Sequence, residues 1–551
     1  METDSNLIDT DDVGRRGGGL CPVSVAERTL SGWDMAGLWI ALVTNVPNYY
    51  LAGSLVDLGM SWWQGIATIF LGNLIIVAPI CLTAHAGVRY GVHFSVQLRA
   101  AFGVRGAFVP ALLRAVVACG WCGIESWIGG QSIFLLLLPR SVASSPLAQP
   151  LSWLGTSPLE LGCFLLFSVL QLAVVWKGMG AINALSRFSA PILILLVATL
   201  FAWAYAAAGS FGDMLSTPSR LSPSQFWPVF FSSLTGCVGT WASLALNISD
   251  FARFACSQAD QVFGQMGLPI FQTAFTFAGL AITSATVVIF GRTISNPIEL
   301  LSTINSNFFV SAIAFFGIAL ATITTNIPAN FVAPATMLLS LCPSAFSFAT
   351  GSLLTAAISF AFQPWKLMGS SDSFVYTWLV GYSAVLGPIT GIMLTDYYVL
   401  RRARLDLSGL YSDNEHGPYY YTGGYNVVAF VALAAGVVPA VPGFLHKVGA
   451  VGVTWEMFDV VYGSAWFFGV SIASLVYWAL SRCCGRAGRR QRHREASSTR
   501  TEPLLCTAKS LGSSDVKKIS QNNITKMKPP PPTCQRGERE RERRIGSEKG
   551  R

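Results

Sequence analysis

Charge is scarce in this sequence. Only 12% of its 551 residues are Asp, Glu, Lys or Arg, about half the share of a soluble domain. So little charge cannot cover a solvated surface, which excludes an ordinary soluble fold. Histidine is rarer still, at 5 residues. No convergent His/Asp/Glu or Cys/His set stands out, which argues against an intramembrane acyl or glycosyl transferase. No apolar run precedes Met35, and the start is acidic at Asp9, Asp11 and Asp12. Neither a signal peptide nor an Arg-rich transit peptide has that form. The 12 cysteines lie mostly inside apolar runs. CGWC, residues 119–122, has redox spacing but no βαβ pattern around it.

Long apolar runs are abundant instead. Hydrophobic residues make up 52% of the chain, and runs of about 18 or more recur, enough to cross a bilayer. Hydropathy predicts about twelve spans, near 35–56, 63–84, 108–138, 159–176, 190–208, 226–248, 268–290, 309–331, 346–362, 375–400, 426–441 and 465–480. The formal net charge of +9 belongs to one tail: from Arg482 onward there are 19 Lys/Arg against 7 Asp/Glu. That basic tail cannot bury a core and is expected to be disordered, lying on anionic lipid. A nucleic-acid-binding body is not implied. An even number of spans puts both termini on one side. Arg89, Arg99, Arg105, Arg401, Arg402 and Arg404 fall there too, whereas Arg140, Arg220 and Lys366 are scattered on the other. The basic side is expected to be cytoplasmic, or stromal in a plastid envelope.

Two spans carry helix-breaking residues. The first contains TNVPNYY (44–50), with Pro47 in mid-membrane. The sixth contains TGCVGTW (235–241), with Gly236 and Gly239. Freed backbone groups are tolerable in a membrane only where they face protein, water or ligand. Breaks in spans one and six are the pattern of an inverted repeat of five helices plus five. Polar and aromatic residues gather near them. Trp127 and Gln131 lie four apart and share one face of the third span. Trp241 follows the break in the sixth. TTNIPAN (324–330) sets two hydroxyls and two amides in the eighth. Two flat rings and several amides around one cavity match a planar heterocycle with N–H and C=O edges. Glu125 lies six residues from Gln131 and is expected to face away, paired with another helix or carrying a proton. Asp250 and Arg253 are expected to form a structural or gating ion pair.

Four segments, VPNYYLAGSLVDLGMSWWQGI, GWCGIESWIGGQ, WASLALNISDFARF and TTNIPAN, resemble the nucleobase–cation symporter-1 family of purine, uracil, allantoin and hydantoin permeases. The resemblance runs from about Gly32 to Cys483. It implies an all-α membrane protein with a LeuT-type fold, discontinuous helices 1 and 6, and two further C-terminal helices. It implies that Trp127 and Trp241 sandwich the substrate, that Gln131 and Asn330 hydrogen-bond its edges, and that Asn45 flanks it. It implies a cation site from the backbone carbonyls of Ala41, Thr44 and Ala321 with the hydroxyls of Thr324 and Thr325. Plant relatives tend to carry Glu where this chain is aligned at Gln131, and a glutamine cannot carry a proton.

The sequence therefore reads as a multi-pass secondary transporter, not an enzyme, for a nucleobase-like ring co-transported with H+ or Na+ and needing no cofactor. The alternative is a non-transporting nutrient sensor on the same fold. The expected organisation is a tail to residue 31, repeats at 32–208 and 226–400, two helices within 425–482, and a tail from 483.

Overall fold

The computed structural model describes residues 21–137, 145–177, 179–304, 308–332, 334–335, 337 and 347–498. The expectations for Arg140 and for the outer parts of both tails lie outside the described residues.

The first span is broken, as α1 (Gly32–Val43) and α2 (Val46–Asp57). Then follow α3 (Trp62–Tyr90), the short α4 (Phe94–Phe102), α5 (Phe108–Leu137), α6 (Pro158–Trp176) and α7 (Met179–Ala208). The sixth span is also broken, as α8 (Pro223–Thr240) and α9 (Ala242–Asn247). The seventh joins α10 (Gln258–Gln265) to α11 (Gly267–Phe290), and the eighth is α12 (Phe308–Asn326), which passes into a π-helical turn, Ile327–Val332. The ninth is α13 (Phe348–Ala361). The tenth is α14 (Val380–Leu394), with π-helical segments before it (Ser373–Leu379) and after it (Thr395–Leu400). The last two spans begin with α15 (Val427–Val437) and α16 (Ala465–Ser498). Among the described residues, eight helices are long and apolar enough to cross a membrane. The two broken spans, the π-ended eighth and the shorter ninth bring the set to the expected twelve.

Helix ends follow local chemistry. Ser31 and Asp34 form a capping box at the start of α1, and Ser157 with Glu160 forms another at α6. Each satisfies N–H groups that a helix start leaves without partners. Gly91, at φ 70°, ends α3 in the left-handed region that other residues avoid. The helices pack as one bundle. α5 lies against α6, α12 and α13; α11 lies against α2, α3 and α7; and α14 lies against α15 and α16. The loops after α3 and after the tenth span share one end, as expected of two loops on one side of a membrane. There Arg89 Nη1 donates to the Ala403 carbonyl at 3.1 Å, and Leu405 N donates to the Tyr90 hydroxyl at 3.0 Å.

Two expectations need correction, one about the sixth-span break and one about the Asp250–Arg253 pair. Gly236 and Gly239 lie inside α8 and do not unwind it; the interruption is at Trp241, φ −107° and ψ 3°. Gly239 is there for closeness. A Cβ on it would lie 2.3 Å from Ser383 Oγ and 2.8 Å from the Leu379 carbonyl. The second correction concerns Asp250. Its Oδ1 receives Phe94 N at 2.8 Å and lies 3.1 Å from His93 Nε2, while Asn247 Nδ2 donates to Oδ2 at 3.3 Å. Arg253 instead lies over the Phe254 ring, 4.9 Å from its centroid.

Candidate functional site

The first break is built by two asparagines. Thr44 and Asn45 leave helical geometry, with Asn45 at φ −145° and ψ 162°. Asn45 Oδ1 accepts from Asn48 N at 2.8 Å, and its Nδ2 donates to the Leu42 carbonyl at 2.7 Å. Asn48 Nδ2 donates to the Val43 carbonyl at 2.8 Å and its Oδ1 accepts from Gln272 Nε2 on α11 at 3.0 Å. The amide of Asn45 thus caps α2 and ties off the end of α1. One N–H and one oxygen lone pair of that amide are thereby engaged by backbone, and a second of each is left over.

At the second break, Trp241 stands edge-on to Trp39, with centroids 5.1 Å apart. Its buried indole N–H has no partner among the described residues. Two residues earlier, the Gly239 carbonyl accepts from the Tyr382 hydroxyl of α14 at 2.7 Å. Tyr382 in turn lies 6.2 Å from the ring of Trp121 on α5, which also meets Trp378 at 5.7 Å and Phe374 at 6.3 Å. The face of α5 that carries Trp121 is therefore joined to the sixth-span break through α14.

Trp127 lies on another face. Its ring neighbours are Trp365 at 5.9 Å and Phe164 of α6 at 6.2 Å. At about 100° per residue, Trp127 sits about 120° round the helix from Trp121, whereas Glu125 sits about 40° from it. The expected pairing of Trp127 with Trp241 is corrected accordingly: Trp127 packs into an aromatic cluster of α6 and residues 360–365. Gln131 shares that turned-away direction, is half-buried, and makes no hydrogen bond among the described residues. Glu125 is 4% exposed, and its Oε2 has no hydrogen-bond partner among the described residues. A buried carboxylate thus stands on α5 six residues before Gln131. Among the described residues its Oε2 meets no donor from another helix. The signal was in the sequence, since Trp121 and Glu125 are also four apart.

The eighth span supplies amides. Asn330 Nδ2 donates to Asn326 Oδ1 at 3.0 Å. Asn326 Nδ2 reaches Gln171 Oε1 at 2.8 Å and the Cys122 carbonyl at 3.2 Å. Gln171 Nε2 reaches Ser126 Oγ at 2.8 Å. Asn330 is half-buried, and Asn326 and Gln171 are wholly buried. Sequence reasoning counted Asn326 among the amides of TTNIPAN without giving it a role, and missed Gln171.

The expected cation ligands fall in two groups. Thr324 Oγ1 donates to the Ala321 carbonyl at 2.8 Å and Thr325 Oγ1 to the same carbonyl at 3.0 Å. Each hydroxyl spends its hydrogen on the helix, leaving oxygen lone pairs for a hard cation. On the first span, Thr44 Oγ1 donates to the Ile40 carbonyl at 2.6 Å, and Ala41 is exposed. α12 packs mainly on α5 and α7, and α1 mainly on α10 and α11. The eighth-span oxygens lie close together; the first-span carbonyls belong to an element packed elsewhere.

Against known proteins, residues 22–469 match the family described as permease for cytosine/purines, uracil, thiamine, allantoin. The purine-uracil permease NCS1 of Arabidopsis thaliana is 55% identical over 486 residues, covering 88% of this chain and 80% of that protein. The allantoin permease of Bacillus subtilis (strain 168) is 34% identical over 466 residues, covering 84% and 92%. Among solved structures, the inward-facing conformation of Mhp1 superposes with a TM-score of 0.68 at 24% identity, over 85% of this chain and 94% of that one. Mhp1, a nucleobase-cation-symport-1 family transporter, in a closed conformation with bromovinylhydantoin bound gives 0.66 at 23%, over 85% and 96%. The broken first and sixth spans are thus part of a shared LeuT-type fold, and the chain belongs to the nucleobase–cation symporter family of cytosine/purine, uracil, thiamine and allantoin permeases.

Proposed function

We propose that this chain is a secondary active transporter that carries a planar nucleobase-like ring with a monovalent cation by alternating access. The observation that carries this is the meeting at the sixth-span break. Trp121 and the indole of Trp241 offer flat faces and an N–H, and Glu125 on the Trp121 face offers an unpaired buried carboxylate. A buried polar atom without a partner is costly, and intramembrane ionisable groups mark transport pathways. In this reading the ring lies between Trp121 and Trp241, with Glu125 and Asn330 reading its edges. Purines, uracil and allantoin, named for the relatives, are the first cargo to test.

Two cation arrangements follow from the residues. The Ala321, Thr324 and Thr325 oxygens suit sodium once the Ala41 and Thr44 carbonyls approach. Glu125 suits a proton. The repeats are assigned to 32–208 and 226–400, both termini to the cytoplasmic or stromal side, and the basic tail to the anionic lipid surface. Uptake of labelled uracil, hypoxanthine and allantoin, in cells lacking their own permeases, tests the reading. Accumulation above the outside concentration that collapses on replacing sodium, or with a protonophore, is the expected result and names the ion. Binding without accumulation would sink it.

A further inference from the structure

We infer that Gln171 and Asn326 form a polarity relay that fixes which atoms Asn330 offers to the cargo, so that the site selects rings by their N–H groups. The inference rests on the transport reading above and adds two positioning residues and a cargo chemistry to it.

The argument starts from an atom whose role cannot change. The backbone carbonyl of Cys122 can only accept, and Asn326 Nδ2 lies 3.2 Å from it. The nitrogen of the Asn326 amide must therefore face α5 and α6. Its oxygen faces the other way, toward Asn330. An oxygen there calls for a donor, and Asn330 Nδ2 supplies one at 3.0 Å. The Asn330 oxygen is then turned away from Asn326 and has no partner among the described residues.

Gln171 holds the arrangement from behind. Its oxygen accepts from Asn326 Nδ2 at 2.8 Å, and its nitrogen meets Ser126 Oγ at 2.8 Å. Gln171 and Asn326 are 0% exposed and Ser126 is 1% exposed. Turning either buried amide over would face nitrogen against nitrogen or press an oxygen on the Cys122 carbonyl. A dry interior penalises such unpaired groups, so a fully satisfied network keeps one orientation. Asn326 is also the last residue of α12, where the helix passes into its π turn.

The consequence is chemical. The Asn330 oxygen is an acceptor. Glu125 Oε2, next to Ser126 on α5, is a second acceptor without a partner when the carboxylate is ionised. Two acceptors favour a ring edge that presents N–H donors, as in a lactam, imide or ureide. They disfavour the same ring with those nitrogens methylated, because buried acceptors are then left unpaired.

The test uses the full-length chain in permease-deficient cells, with labelled uracil competed by unlabelled uracil and by 1,3-dimethyluracil. The wild type is expected to prefer uracil by more than about tenfold. Gln171→Leu should compress that preference toward parity, acting on KM more than on kcat. Gln171→Glu, which keeps an acceptor toward Asn326 and can accept from Ser126, should restore most of it. Should Gln171→Leu fail to reach the membrane, Ser126→Ala removes the anchor of Gln171 and a longer contact to Asn326 Nδ2 at 3.4 Å, and should compress the preference in part. An unchanged preference in the variants that reach the membrane, with uptake merely scaled down, overturns the relay. So does a wild type that transports uracil but ignores methylation. A wild type that takes up uracil, hypoxanthine and allantoin no better than control cells overturns the transport reading itself, and with it the relay's role in selection; that result needs no variant and so is distinguishable.

Discussion

Trp121 and Trp127 lie six positions apart on one helix and meet different neighbours. Trp121 is half-buried and bordered by Trp378 and Tyr382, with the sixth-span break beyond them. Trp127 is 4% exposed and wedged between Trp365 and Phe164. Substituting each should separate binding from packing. Trp121→Ala is expected to cut uptake by about five- to hundredfold, the loss of one stacking contact of about 1–3 kcal/mol, with normal protein at the membrane. Trp127→Ala should instead lower thermal stability, since truncating a buried aromatic costs about 3–5 kcal/mol. Uptake measured beside melting of the purified protein checks both. Equal losses of uptake at normal stability in the two variants would refute this division. Both pairs, Trp121 with Glu125 and Trp127 with Gln131, have the same spacing and similar chemistry. A span that is apolar all round has no polar face to show which direction is inward, so the choice between them waited on the neighbours.

At the scale of elements, the breaks are made by different means. The first is chemical and local: Asn45 is an N-cap, and Pro47 follows at a position where a missing N–H is harmless. That break was legible because its residues are helix signals in themselves. The sixth-span break was misplaced because glycine has two uses. It can free the backbone, or it can let two helices approach, as membrane helices commonly do. Gly239 does the second, against Ser383 and the Leu379 carbonyl, and only the partner helix reveals it. Asn45→Ala should destabilise the protein by about 1 kcal/mol and reduce uptake by loosening the joint, whereas Asn45→Asp keeps the cap and should behave better. Thermal melting of the three proteins orders them. Melting of Asn45→Ala at the wild-type temperature would remove the capping role.

At the scale of the molecule, one end is tied together across the bundle. His93, at the start of α4, accepts from Ser95 N through Nδ1 at 3.2 Å and stands 3.1 Å from Asp250 through Nε2. This suits a neutral ring with its proton on Nε2. Burial holds the imidazole below its usual range; Asp250 pulls the other way, and Arg253 and Arg114 oppose protonation. A histidine depressed in the folded state contributes stability that is present above its unfolded value of about 6.5. That stability is lost as pH falls through the folded value. Melting temperature should therefore drop below pH 6.5 in the wild type, and less steeply in His93→Asn, which keeps a cap on α4. Parallel pH curves for the two proteins would contradict this.

The sequence by itself determined the class, the twelve spans, the repeat with breaks in spans one and six, and the family, because bilayer thickness and backbone satisfaction act on any single stretch of chain. Tertiary structure decided which neighbours each face of α5 meets, that Asn45 caps α2 and binds the end of α1, and that Gln171 stands behind Asn330. Those outcomes depend on which atoms lie across from a side chain. In a helix surrounded by lipid and other helices, neither periodicity nor composition carries that information.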